Sequence, residues 1–255
     1  MKTYYYTKLT DDVVQSQQQD YQLPDDYQIL PSGRFNQSWN WLARKLAAGF
    51  GWVYSRLFVR VTVVGKEKLT AVGDQGYFVY ANHTQPLGDV FTPLTIFPPE
   101  KFYAIANQAN WGIPFIGKAL VRYGGLPVGK NLRQSVKLVK AIKQVVIKQQ
   151  GVVMVYPEAH VWPYYTKIRP FPVTSFHFPA ELKAPVFTLT TTYRQPTFGK
   201  RPRIVMYLDG PYYPDETLAL KQAQEKLHQE VQQVLVKRAA TSDYQFCHYM
   251  QKENG

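Results

Sequence analysis

A single cysteine, Cys247, stands in 255 residues. One thiol cannot close an internal disulfide, and the five histidines show no ligand spacing that would build a zinc site around it. A reducing, cytosolic setting is the simplest expectation. Long apolar runs are missing too. A membrane-spanning helix needs roughly 20 apolar residues, and the best stretch near the start, Leu46 to Ser55, is cut short by Lys45 and Arg56. The first thirty residues hold no apolar core of the kind a secretory leader carries, so no leader is expected. Acidic residues are absent from Lys101 through Pro157, an interval with nine lysines and arginines. That imbalance sets up a positive field and points to an anionic partner: a membrane surface, a nucleic acid or a phosphorylated substrate.

What is present describes a folded, aromatic-rich chain, with 45% hydrophobic residues, 19 Tyr and 14 Phe. Wholesale disorder is excluded, since so much apolar surface can be buried. Charge is uneven: residues 1–30 carry a net −3, which leaves +15 of the overall +12 for the remainder. Residues 1–36 are rich in Tyr, Gln and Asp and show neither helical nor strand period. They are expected to be a polar extension, partly draped on the body.

Residues 37–60 read as an amphipathic helix or helix pair with Ser38 as N-cap. Trp39, Leu42, Leu46, Phe50, Val53 and Leu57 fall on one stripe at spacings of three and four. Arg44, Lys45, Arg56 and Arg60 lie among them, and Gly49 and Gly51 weaken the helix or split it. Such a helix suits either a membrane interface or the protein core. Strands are expected at 59–64, 77–81, 101–106, 152–156, 185–193 and 203–208. Helices are expected at 132–149, capped by Asn131 and stopped by Gly151, and at 215–239. Strands alternating with helices predict an α/β fold, a mixed sheet flanked by helices, over residues 61–240, with 241–255 as a tail.

Three motifs carry chemistry. The first, Asn82-His83-Thr84-Gln85-Pro86-Leu87-Gly88-Asp89, follows a buried strand. A carboxylate at Asp89 can fix one ring nitrogen of His83 and leave the other as a base. A hydrogen-bonded structural pair is the blander alternative. The second runs from Gly112-Ile113-Pro114-Phe115-Ile116-Gly117 to Gly124-Gly125-Leu126-Pro127-Val128-Gly129-Lys130, a turn ending in basic residues at a helix start, where anions are favoured. The third, Val155-Tyr156-Pro157-Glu158-Ala159-His160, ends another buried strand in a carboxylate, with Lys167 and Arg169 soon after. His177, His228 and His248 have no such context.

In order and spacing the three motifs, with Ala184-Pro185-Val186 opening a later strand, resemble the glycerophospholipid acyltransferases over about residues 60–210. This is the family that contains lysophosphatidic acid acyltransferase. The resemblance implies His83 as general base oriented by Asp89, with an acceptor site drawn from Asn82, Lys130, Arg133, Glu158, His160, Lys167 and Arg169. It implies a thioester co-substrate, acyl-CoA or acyl-carrier protein, with no cofactor and no metal. Backbone amides of the turn would stabilise the oxyanion. The expected partners are a membrane surface and a lipid, not nucleic acid, with the chain peripheral at the cytoplasmic face. There are two departures. Five residues rather than four separate His83 from Asp89, which turns a helical neighbour by about 100°. The family's Pro-Glu-Gly-Thr-Arg reads Pro157-Glu158-Ala159-His160-Val161, without the Arg. The alternative is a lipid-binding protein of the same fold with His83 and Asp89 misaligned.

Overall fold

The computed structural model describes residues 1–14, 20–30, 33–113, 117 and 120–252. Pro114, Phe115 and Ile116 of the second motif therefore lie outside the described residues. Nine strands and six α-helices order the description: β1 (Lys2–Tyr6), α1 (Arg34–Val53), β2 (Thr62–Val64), β3 (Tyr77–Ala81), α2 (Gly88–Phe91), α3 (Pro93–Ile96), β4 (Phe102–Ala106), β5 (Gly125–Pro127), α4 (Leu132–Lys143), β6 (Val152–Val155), α5 (His177–Leu182), β7 (Val186–Arg194), β8 (Arg203–Tyr212), α6 (Leu220–Ala239) and β9 (Cys247–Gln251).

Seven strands form one mixed sheet in the order β2-β8-β7-β3-β6-β4-β5. β7, β3, β6, β4 and β5 run parallel, β8 is antiparallel to β7, and β2 follows β8. The central strands read as unbroken apolar runs because both faces are covered. Phe78 and Tyr80 of β3, with Val153 and Val155 of β6, pack against Leu138 and Ile142 of α4 and Leu227, Val231 and Leu235 of α6. Tyr77, Val79 and Ala81, with Val152 and Met154, face Ala47 of α1 and Leu94 and Ile96 of α3. The expected α/β sandwich is thus the observed fold.

Asn131 caps α4 as expected, its side-chain oxygen accepting the Gln134 N–H at 2.9 Å. Ser38 is not a cap, since α1 starts earlier, at Arg34 after Gly33, and runs unbroken through Gly49 and Gly51. Gly51 is a contact point and not a break: a Cβ there would lie 2.5 Å from the Phe91 carbonyl oxygen. The buried side of α1 is Arg44, Ala47 and Gly51, continued by Ser55 in the π-helical turn Tyr54–Phe58 that follows. The large apolar stripe faces outward, with Leu46 67%, Leu57 64% and Phe58 69% exposed. Arg44, one of the basic residues that lie among the stripe, is buried. Its guanidinium donates to the carbonyls of Glu100 (2.9 Å), Phe102 (3.1 Å) and Arg122 (3.0 Å).

Residues 1–36 were expected to lack a strand, yet Lys2–Tyr6 forms one, paired in parallel with Cys247–Gln251 from the other end of the chain. Aromatic packing holds this ribbon to the body: Tyr249 stacks on Trp162 at 5.0 Å, and Tyr6 meets the same indole at 4.8 Å. The chain then crosses to α4. Leu23 and Ile29 are buried, Lys137 donates to the Asp25 carbonyl at 2.6 Å, and the Asp25 carboxylate accepts from Asn131 (2.9 Å) and Gln134 (3.0 Å).

On β8, Asp209 is 7% exposed and ion-pairs with Arg238 (2.6 Å) and Lys68 (2.7 Å). The Arg238 hydrogen bonds hold its carboxyl below the ordinary 3.8, against the opposing effect of burial. A lowered folded value contributes stability that is full above the unfolded value and is lost as pH falls through the folded one. Asp209→Asn is expected to cost about 1–3 kcal/mol at pH 7. That difference should shrink as the pH drops below about 4, as measured by urea unfolding of both proteins across pH.

Candidate active site

His83 and Glu158 follow the adjacent parallel strands β3 and β6, whose register pairs Tyr80 with Val155. Both motifs therefore leave the sheet at its carboxyl edge, the edge at which open α/β sheets bind ligands. The His83 Nδ1 lies 2.8 Å from Asp89 Oδ2. A carboxylate only accepts, so Nδ1 carries a proton, and in the neutral ring Nε2 keeps its lone pair. Among the described residues Nε2 has no hydrogen-bond partner, and the His83 side chain is 22% exposed. That leaves an oriented, accessible base.

The additional residue between His83 and Asp89 does not separate them. The turn closes tightly, with Asp89 N–H donating to Gln85 O (3.0 Å) and Gln85 N–H donating to Asp89 Oδ2 (2.8 Å). Gly88 permits this, because a Cβ there would sit 2.9 Å from Gln85 Cβ. The Gln85 amide donates to Tyr193 Oη (2.7 Å), and that hydroxyl donates to Thr84 Oγ1 (2.8 Å), tying the turn to β7. Tyr156 lies against the pair, its ring stacked on His83 at 4.4 Å and its hydroxyl donating to the Asp89 carbonyl at 2.6 Å. Gln85, Tyr156 and Tyr193 went unmarked in the sequence. Of these, Gln85 and Tyr156 lay inside motifs, and Tyr193 lay in none.

Other residues of the implied acceptor site are placed differently. Asn82 does not face the opening: its carboxamide oxygen accepts Thr191 N–H (2.8 Å) and its NH₂ donates to Thr191 O (3.0 Å), joining β3 to β7. Glu158 and Arg169 are a buried ion pair with side chains 1% exposed. Glu158 Oε1 accepts Arg169 N–H (2.7 Å) and Oε2 accepts both the Arg169 guanidinium (3.2 Å) and His83 N–H (3.2 Å). Arg169 also donates to the His160 carbonyl and stacks over Trp162 at 4.8 Å. Burial pushes the Glu158 carboxyl up and the Arg169 guanidinium down, and each partner's charge opposes the shift. Glu158 and Arg169 are thus a buttress beneath His83, not a surface for substrate.

His160 faces the N-terminal segment, its Nδ1 3.4 Å from Asp12 Oδ2. Lys130, Arg133 and Lys167 are exposed. Lys130 Nζ reaches the Tyr21 carbonyl at 3.3 Å, and the anion-favouring start of α4 already holds the Asp25 carboxylate. The acidic N-terminal extension therefore covers part of the basic surface visible in the sequence.

A histidine base paired to a carboxylate at the carboxyl edge of a helix-flanked sheet defines an α/β protein equipped for proton-assisted chemistry at an exposed edge. The family model described as Acyltransferase matches residues 60–192, more than half of the chain, and the chain belongs to the acyltransferase family. Among solved structures it is similar to the 1-acyl-sn-glycerophosphate (LPA) acyltransferase PlsC from Thermotoga maritima. That match has a TM-score of 0.58 and 18% sequence identity, and covers 83% of this chain and 86% of that one. No curated protein sequence matches.

Proposed function

We propose that this acyltransferase moves a fatty acyl group from a thioester, acyl-CoA or acyl-carrier protein, to the hydroxyl of a lysophospholipid such as 1-acylglycerol-3-phosphate. The observation that carries the reading is the 2.8 Å His83–Asp89 pair with Nε2 unengaged. His83 Nε2 takes the hydroxyl proton as the acceptor oxygen attacks the thioester carbonyl. The new C–O bond forms, the C–S bond breaks, and the thiolate leaves and takes the proton back from the imidazolium. Asp89 stabilises that cation. Base assistance of this kind is worth about 10²–10⁴-fold. No covalent acyl-enzyme is needed, and Cys247 is buried in the β1–β9 ribbon. Arg133 and Lys167 are exposed and are the cations assigned to the acceptor head group, with Lys130 joining them where the N-terminal segment leaves it accessible.

A bilayer acceptor asks for a bilayer surface. No helix among the described residues is long and apolar enough to cross a membrane. The outward surface of α1 and the turn after it, with Trp39, Trp41, Leu46, Phe50, Trp52, Leu57 and Phe58 all exposed, suits burial in the plane of an interface. α1 and the turn after it touch the catalytic turn's helices through Phe50–Phe91 (4.8 Å) and Ser55–Thr92 (3.0 Å), which links that surface to exposed Leu87 and Val90 beside Asp89. Replacing Leu46 and Leu57 together by Glu should weaken vesicle binding about 100-fold, from about 1.5 kcal/mol of burial each. Thermal stability should hold, since neither side chain is packed. Unchanged sedimentation with vesicles would remove α1 from the interface. The assignment of chemistry is tested by release of thiol from long-chain acyl-CoA with and without lysophosphatidic acid, monoacylglycerol or glycerol 3-phosphate. Release that follows a lysophospholipid is the expected result. Release indifferent to every acceptor would overturn it.

A further inference from the structure

Asp89 lies in the first turn of a short helix, α2, whose geometry leaves its own carbonyl without a helical partner. In an α-helix that oxygen would accept the N–H four residues on, but residue 93 is proline and has none. The Tyr156 hydroxyl fills the gap at 2.6 Å. The same side chain stacks on His83, with ring centres 4.4 Å apart and planes 24° from parallel. Tyr156 thus touches both ends of the seven-residue turn from His83 to Asp89. It directly follows Val155, the last residue of β6, the strand hydrogen-bonded beside β3, so its position is set by the sheet and not by the turn it contacts. Burial and the Asp89 charge raise its phenol well above the ordinary value, so the hydroxyl remains a donor.

We infer that Tyr156 is the positioning residue of the His83–Asp89 pair: its ring fixes the imidazole plane, and its hydroxyl fixes the turn that brings Asp89 to Nδ1. This is how a turn one residue longer than the family spacing still delivers its carboxylate. The role rests on the acyl-transfer reading for its kinetic consequence, but the geometry stands apart from it.

The experiment has a spectroscopic arm and a kinetic arm on the full chain. In ¹⁵N-histidine-labelled protein, the downfield Nδ1–H resonance of His83 reports the bond to Asp89. It should be sharp in wild type, weakened in Tyr156→Phe, which keeps the stack, and lost in Tyr156→Leu. With acyl-CoA and lysophosphatidic acid, kcat should fall about tenfold in the Phe variant and about 100-fold in the Leu variant, with KM unchanged. Pro93→Ala added to Tyr156→Phe returns an N–H to the Asp89 carbonyl and should recover signal and rate. Variants of lowered melting temperature with wild-type resonance and kcat would make Tyr156 merely structural and overturn the inference, as would failure of the Pro93→Ala rescue. If wild type proves inactive, the acyl-transfer reading fails alone, and the resonance series still decides the role of Tyr156.

Discussion

His83→Ala is expected to lower acceptor-dependent thiol release by about 10³-fold, within the range general-base assistance supplies. The loss should lie in kcat, because Nε2 acts on the proton in flight and not on the bound lipid. The fold should survive. The two backbone bonds at residue 83, its N–H to Glu158 and its carbonyl to the Trp162 N–H at 2.9 Å, do not involve the ring. Asp89→Asn should fall between wild type and His83→Ala, because an amide can still bond Nδ1 but cannot stabilise the imidazolium. The melting temperatures of all three proteins check that activity and folding are separated. His83→Ala with wild-type turnover would remove the base from the mechanism.

The largest structural effect is expected for Arg169→Ala, a loss of about 3–5 kcal/mol. Folded proteins hold roughly 5–15 kcal/mol in total, so this variant should be poorly folded at 37 °C. The cause is what remains behind: Glu158, 1% exposed, stays buried without the cation that paired it. The His160 carbonyl loses a donor and Trp162 its cation stack. Arg169→Lys should rescue little, because one ammonium cannot make the forked contacts of a guanidinium. Lys167→Ala, two residues away and exposed, is the control and should leave stability within about 0.5 kcal/mol. Urea unfolding of the three proteins measures this. A wild-type midpoint for Arg169→Ala would return Arg169 to the pool of substrate contacts.

Much of the fold was legible because its signals are local. The apolar runs of β3 and β6 and the Asn131 cap each depend on neighbours in sequence. The pairing of β1 with β9 was not legible, since Lys2 meets Cys247 across almost the whole chain. The stripe on α1 was visible but its direction was not. Periodicity says that Leu46, Phe50 and Leu57 share a face, not whether that face meets core or solvent. Burial of Arg44 with Ala47, Gly51 and Ser55 runs against the usual amphipathic rule. At the site, His83, Asp89, Glu158 and Arg169 were all marked by motif, yet two of the four turn inward. Charge alone does not distinguish an arginine that binds a phosphate from one that neutralises a buried carboxylate. The link from Tyr156 to Asp89 needs the lateral pairing of β3 with β6, which no spacing encodes.

The most direct test of the central claim, direct transfer from thioester to acceptor hydroxyl at His83, is the stoichiometry of one reaction. Wild-type protein on vesicles is given radiolabelled acyl-CoA and lysophosphatidic acid, and free thiol and labelled phosphatidic acid are counted together. The account predicts equal amounts of both, no thiol without the acceptor, no label retained on the protein, and neither product from His83→Ala. Thiol released without an acceptor, or label bound covalently to the chain, would contradict it.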